Sequence, residues 1–209
     1  LDNELVLLAI NPGAANVELI SQHVTSGEPQ FSIVLDGVTV VQEDIIARGA
    51  DASCATRSLL QHTLVANSVM TLGVTDTMLS MTAAYTSQRE QFGRPIATFQ
   101  AVSHRAADAY IDVQNLRLAT QQAASLLSAQ LDATEAVTIA KIWACDVAHR
   151  VSQSAQHLHG GIGVDRDYPL FRFCLWAKQL ELTLGGGNSY LTALGDAIAE
   201  GFKQREGLG

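Results

Sequence analysis

Tyr85 to Gln100 reads YTSQREQFGRPIATFQ, and it divides two long stretches of helical periodicity. Arg89, Glu90 and Gln91 are polar, Phe92-Gly93 interrupts the pattern, and Arg94-Pro95 follows. Proline cannot continue a helix, and it drives the residue before it out of helical geometry. Phe99 then restarts an apolar stripe. The stretch is a tight, charged elbow between two helices. Arg89 offers a planar fork of donors suited to phosphate oxygens, and Phe92 offers a flat face. From the residues alone, an ordinary helix–helix turn with a solvated arginine reads equally well.

Upstream of the elbow, Ala55 to Tyr85 carries helical spacing in Leu60/Leu64, Val65/Val69 and Val74/Met78, interrupted only by Gly73. Downstream, Phe99, Val102, Ala106, Ala109, Val113, Leu116, Ala123 and Leu127 follow steps of three and four, with Thr120 in the gap. That is one long seam. Asp132 followed by Glu135 resembles a capping box and starts the next helix. Its stripe is Val137, Ala140, Ala144, Val147, Val151 and Leu158, with Ser154 near the gap, and Gly160-Gly161 stops it. Leu170 to Leu182 forms another helix after Pro169. Gly185 to Gly187 breaks it, and Asn188 or Ser189 caps a last helix running to about Phe202. Short connections between such helices predict an antiparallel four- or five-helix bundle over residues 51–209.

Residues 1–50 read differently. Leu5 to Ile10 ends at the turn Asn11-Pro12-Gly13, Val17 to Ile20 is a second apolar run, and Phe31 to Val41 reads as two strands around Asp36-Gly37. This is a β fragment too small to close a sheet on a core of its own. The chain opens on Leu1 rather than Met, directly into an apolar run, from which we expect that sequence precedes it.

A 209-residue chain with 47% hydrophobic and 16% charged residues can build a sizeable core. Its net charge of −8, with no basic cluster, argues against nucleic acid and anionic membrane surfaces. Apolar runs fall short of the ~20 residues of a membrane span. Cys54, Cys145 and Cys174 are odd in number and widely spaced, which suits core packing in a reducing cytoplasm. A helical bundle invites a di-iron site, but no Glu is followed by His three residues later. His157 and His159 flank Leu158 and so face apart on a helix, a poor chelate. No metal site is expected. Gly160, Gly161 and Gly163 form a turn that lets backbone approach a ligand closely, although a helix C-cap explains them as well.

Two strings resemble one family. REQFGRPI, followed by FQAV and then His104, Ala107 and Asp108, is similar to the start of the C-terminal helical domain of acyl-CoA dehydrogenases. HLHGGIGVDRDYPLFR, some sixty residues on, is similar to a second motif of the same family, in order and register. The resemblance covers Gly37 to Gly195. It implies that residues 1–50 are the tail of the family's middle β domain, with Val41 where the family has proline. It also implies FAD, held mainly by a neighbouring subunit and contacted across the interface by Arg89, Gln91, Phe92, Gln100, His157, Gly160 and Gly161. His157 stands where the family usually has Gln.

The family's reaction removes the α-proton of an acyl-CoA with a carboxylate base and passes a hydride to the flavin. Counted from Ala177-Lys178, the usual base position falls on Leu184. Counted back from Tyr85, the alternative position on the first helix falls on Thr63, beside His62. Neither is a carboxylate, so no catalytic residue is assigned. Glu181, about one helical turn from Leu184, is the nearest substitute, and it reads rather as a solvated helix residue. The resemblance therefore implies three alternatives. The first is the base-less, FAD-contributing subunit of a heteromeric enzyme, as in steroid side-chain degradation, paired in a heterotetramer with a related chain. The second is an active homotetramer using an unusual base. The third is a scaffold that no longer binds flavin. An acyl-CoA substrate and an electron-transfer flavoprotein or similar acceptor go with the first two.

Overall fold

The structure is a computed structural model that describes residues 4–206, with side chains as far as Gly201. Leu1, on which the reading of the chain's opening rests, lies outside the described residues. The chain divides into two compact units, residues 1–62 and 63–209.

In the first unit, β1 (Val6–Leu8) pairs antiparallel with β4 (Ile45–Arg48), and β2 (Val17–Gln22) with β3 (Gln30–Leu35). Asn11 closes its turn by accepting the Gly13 N–H on Oδ1 at 2.9 Å. The expected pair of strands across Asp36-Gly37 does not form. β3 takes its partner from upstream, with Val17 opposite Leu35 and Gln22 opposite Gln30. Beyond Gly37 no strand forms until β4, a strand the sequence reading missed. Leu19, Phe31, Ile33 and Leu35 stay between 42% and 63% exposed, as expected of a two-stranded ribbon without a core.

α1 (Gly49–Gln88) is longer than its periodicity predicts. In the second unit its buried face is largely hydroxyl-bearing. Ser68, Thr71, Thr75, Thr82 and Thr86 are all within 4% of full burial. Each donates to the carbonyl four residues back, at 2.7–2.9 Å. The helix thus satisfies its own buried polar atoms. Leu64, Val65 and Met78 are buried as expected, whereas Leu60 and Val69 are 43% and 50% exposed because hydroxyl residues occupy the inward positions.

α2 (Gln100–Ser128), α3 (Thr134–His159), α4 (Leu170–Leu182) and α5 (Gly187–Glu206) complete the bundle, with α3 central, packed on α2, α4 and α5. The predicted seam is buried where it matters: Val113, Leu116 and Ala123 of α2 meet Val137, Ala140, Ala144, Val147 and Val151 of α3. Burying each Val or Leu contributes about 1.5–3 kcal/mol, and the alanines let the helices approach closely. Two helix starts differ from expectation. Ala133 is the N-cap of α3, and Asp132 instead accepts the Thr134 N–H at 3.0 Å, one residue too early for a capping box. α5 begins at Gly187, so Asn188 and Ser189 lie inside its first turn, where the Ser189 hydroxyl donates to Gly186 O.

Candidate functional site

The elbow is a miniature hairpin. α1 ends at Gln88, and β5 (Glu90–Gln91) pairs with β6 (Arg94–Pro95), Gln91 opposite Arg94. The two-residue turn Phe92-Gly93 has φ +54° and +76°. Two positive φ angles in succession mark a type I′ turn, in which Gly93 is at ease and a bulky aromatic residue is not. Such strain costs on the order of 1–3 kcal/mol. It leaves Phe92 92% exposed. Arg94 lies over the Phe99 ring at 4.2 Å, and Phe92 meets the same ring edge-on at 6.1 Å. Arg94 is thereby occupied. The exposed guanidinium of Arg89 has no partner among the described residues. Gln91 Nε2 folds back onto Glu90 O at 2.8 Å, and exposed Gln100, at the start of α2, lies 3.5 Å from His104 Nε2.

The glycine turn closes α3. Gly160 has φ +62°, and its N–H reaches Gln156 O and His157 O. A Cβ on Gly160 or Gly161 would meet nothing within 4 Å, so this backbone is open to approach. Gly163 is different: a Cβ there would lie 2.9 Å from Gln156 O, so it is a packing glycine. His157 is exposed and His159 is 3% exposed, facing apart as their spacing predicts. The His159 ring stacks on Tyr85 at 4.4 Å and tilts against Tyr168 at 5.4 Å, and the Tyr85 hydroxyl donates to His159 O at 3.3 Å. Tyr85 is one helical turn before Arg89. This stack brings the elbow and the glycine turn to one end of the bundle, although they are far apart in sequence. His159 Nδ1 lies 2.8 Å from Ala155 O, which fixes the proton there, and Nε2 has no partner among the described residues. Burial holds this imidazole below its ordinary pKa, and the Ala155 hydrogen bond only partly offsets that.

A second strained turn follows α4. Leu184 and Gly185 have φ +61° and +102°, and Leu184 is 42% exposed. Glu181 is not the solvated residue its sequence suggested. Its side chain is 18% exposed, 2.6 Å from Lys178 and 3.5 Å from His149. Thr63 is exposed on α1, and His62 Nδ1 lies 2.8 Å from Ser58 O.

The profile of the acyl-CoA dehydrogenase C-terminal domain matches residues 53–199. The chain belongs to the acyl-CoA dehydrogenase family. Members of that family are FAD-binding flavoproteins. It is 46% identical to acyl-CoA dehydrogenase FadE27 of Mycobacterium tuberculosis over 62% of this chain and 37% of that protein. It superposes on a chain of the ChsE4–ChsE5 complex from the same organism with a TM-score of 0.86 at 37% identity, over 93% of this chain and 52% of that one. For the Tcur3481–Tcur3483 steroid ACAD G363A variant the TM-score is 0.83 at 37% identity, over 95% and 55%. The chain thus spans about half the length of the relatives it matches.

Of the residues expected at the cofactor, Arg89, Gln91, Phe92 and Gln100 lie in or beside the elbow and His157, Gly160 and Gly161 at the glycine turn. Sequence reasoning missed two residues that hold the surrounding geometry, Tyr85 and Lys141, and it read His159 only by its facing, not as the buried ring stacked on Tyr85. The legible signal was Lys141, a cation four residues after Val137, on a stripe otherwise apolar. Nothing in the sequence distinguishes the roles of His157 and His159 beyond their opposite faces.

Proposed function

We propose that this chain is the FAD-contributing subunit of a heteromeric acyl-CoA dehydrogenase acting on a steroid side-chain acyl-CoA, and that the base belongs to its partner. One observation carries the reading. A strained, exposed elbow, with Arg89 unpartnered among the described residues, stands beside an open glycine turn, while the resemblance would put Leu184 and Thr63 at the family's two base positions. An apolar or hydroxyl side chain there cannot take the α-proton of a thioester at neutral pH.

The residues present fit an anionic, flat cofactor. Arg89 would hold pyrophosphate oxygens through charge-assisted hydrogen bonds, contributing roughly 1.5–3 kcal/mol. Gly160 and Gly161 would admit the diphosphate to backbone N–H groups, and Phe92 would cover an aromatic face. Gln91, Gln100 and His157 would add polar contacts, His157 donating where relatives use Gln. Bound FAD supplies the hydride acceptor. The similarity to chains of the ChsE4–ChsE5 complex and of the Tcur3481–Tcur3483 steroid ACAD supports the pairing, and the latter the substrate class. Residues 1–50 would be the tail of the middle β domain and 51–209 the bundle, with electrons passing to an electron-transfer flavoprotein or similar acceptor in the cytoplasm. None of the described helices is long and apolar enough to cross a membrane.

The test is purification under mild conditions. We expect co-elution with a related chain of different mass, flavin absorbance in that complex, and acyl-CoA oxidation only by the complex. A monodisperse chain that oxidises acyl-CoA alone would sink the reading in favour of the homotetramer. A complex that carries no flavin would leave the scaffold.

A further inference from the structure

We infer that Lys141 is a positioning residue: its buried ammonium pins the strained turn Thr183–Gly185 and so keeps the wall of the neighbouring cleft closed over Cys145. Lys141 lies about two turns into α3 and is 0% exposed. Its three donors go to Asn67 Oδ1 at 3.0 Å, Leu180 O at 3.1 Å and Thr183 O at 2.8 Å. No carboxylate is within ion-pair distance among the described residues. A buried charge without a counterion is expensive. Here it faces the carboxyl end of α4, where unpaired carbonyls carry partial negative charge. Asn67 Nδ2 reaches the same Leu180 O at 3.3 Å, so α1, α3 and α4 meet at one buried knot.

What the knot holds is backbone that would not keep its shape unaided. Leu184 adopts a left-handed conformation that disfavours a branched side chain. Every carbonyl from Gln179 to Leu184 is engaged. Thr183 N–H and Oγ1 donate to Gln179 O, Lys141 and Asn67 to Leu180 O, and Cys145 Sγ to Glu181 O at 3.2 Å. Gly185 N–H donates to Leu182 O, Lys141 to Thr183 O, and the Tyr190 hydroxyl to Leu184 O. Lys141 grips both the last turn of α4 and the strained turn beyond it.

Cys145 is one helical turn from Lys141, 3% exposed, and roofed by the chain that follows the turn. A Cβ on Gly187 would stand 3.1 Å from Cys145 Cβ. A cleft of about 540 Å³ opens at this point, lined by Cys145, His149, Glu181, Gly187 and Ser189. If the turn lets go, the roof over Cys145 goes with it and the thiol meets solvent. The inference is independent of the flavin reading, because it is measured without cofactor or substrate.

The experiment is N-ethylmaleimide labelling of the purified protein, followed by mass spectrometry of the three cysteine peptides. Exposed Cys54 reports full reactivity and buried Cys174, on α4, reports global opening. In Lys141→Met, Cys145 should label about ten-fold faster or more while Cys174 keeps its wild-type rate, the signature of local opening. Burial raises the Cys145 pKa and the Lys141 charge partly lowers it, so losing that charge by itself would slow labelling. Acceleration must then come from access. Parallel acceleration of Cys145 and Cys174 would show a merely structural lysine, and unchanged Cys145 would show that the turn holds without it; either overturns the inference. If Lys141→Met does not fold, Lys141→Gln, which keeps a polar donor but is too short to span both Leu180 O and Thr183 O, decides by the same comparison.

Discussion

The chain contains two turns built alike and held differently. At Phe92-Gly93 and at Leu184-Gly185, a bulky residue and the glycine after it both take positive φ. The first turn is closed by two residue pairs, Glu90 with Pro95 and Gln91 with Arg94, and throws Phe92 almost wholly into solvent beside an unpartnered Arg89. The second has its preceding carbonyls held one by one by side chains from α1, α3 and α5. Strain in an exposed segment with an idle cation is strain kept for something outside the chain. Strain in a segment whose carbonyls are all engaged is strain kept for shape. The same local conformation therefore marks a contact surface in one place and a rigid frame in the other.

The largest effect should follow from the proposal that the frame presents no base. If the partner supplies the carboxylate, mutating that carboxylate should cost about 10²–10⁴ in rate, whereas Glu181→Gln here should leave acyl-CoA turnover by the complex nearly intact. Loss of activity in Glu181→Gln would mean that the pinned end is catalytic and that the two turns differ in the opposite sense. At the open end, Arg89→Ala should lower flavin occupancy of the complex about ten-fold or more, as loss of charge-assisted hydrogen bonds implies. Flavin-to-protein absorbance ratios after desalting read this directly, and an unchanged ratio would remove Arg89 from the site.

A smaller effect sharpens the comparison at the level of strain. Asparagine tolerates the left-handed region and Asn-Gly is a favoured type I′ turn. Phe92→Asn should raise stability by about 1 kcal/mol, or roughly 2–4 °C in Tm for a chain of this size, while weakening flavin retention. Stability and binding would move in opposite directions. Leu184→Asn relieves similar strain but adds a polar side chain on a half-exposed rim, so we expect little net change in Tm. If Phe92→Asn lowered both Tm and flavin content, the ring would be packing rather than presenting.

These contrasts explain what the sequence could reveal. The seams of α2 and α3 were legible because their inward positions are apolar at helical spacing. α1 was legible as a helix and misleading as a face, since Ser68, Thr71 and Thr75 point inward and satisfy themselves through their own backbone. A stripe of hydroxyls looks polar to any pattern of hydrophobicity. β4 was hidden because its partner β1 lies nearly forty residues upstream, and strand pairing over such a separation leaves no local trace. At the site, Arg89 and the glycines are motif residues and could be read by resemblance. The Phe92 conformation belongs to a local two-residue turn that Phe-Gly does not signal, Lys141 showed only as a cation on an apolar stripe, and the Tyr85–His159 stack arises from tertiary contact alone.

The smallest effect concerns the stack that joins the elbow to the glycine turn. His159 is buried as a neutral imidazole, its pKa lowered by desolvation. The unfolded chain binds a proton near the ordinary value of about 6.5, and the folded chain does so only at lower pH. Below that value the unfolded state holds more protons, so stability must fall as pH drops. The contribution is fully present above about pH 6.5 and erodes beneath it, by at most about 1.4 kcal/mol per pH unit for one proton. Denaturant melts at pH 7, 6 and 5 should show this slope, before most carboxylates titrate. His159→Phe keeps a ring between Tyr85 and Tyr168, removes the unpartnered Nε2, and should flatten the slope in that window. A slope unchanged by the substitution would place the titrating group elsewhere and leave the stack as packing alone.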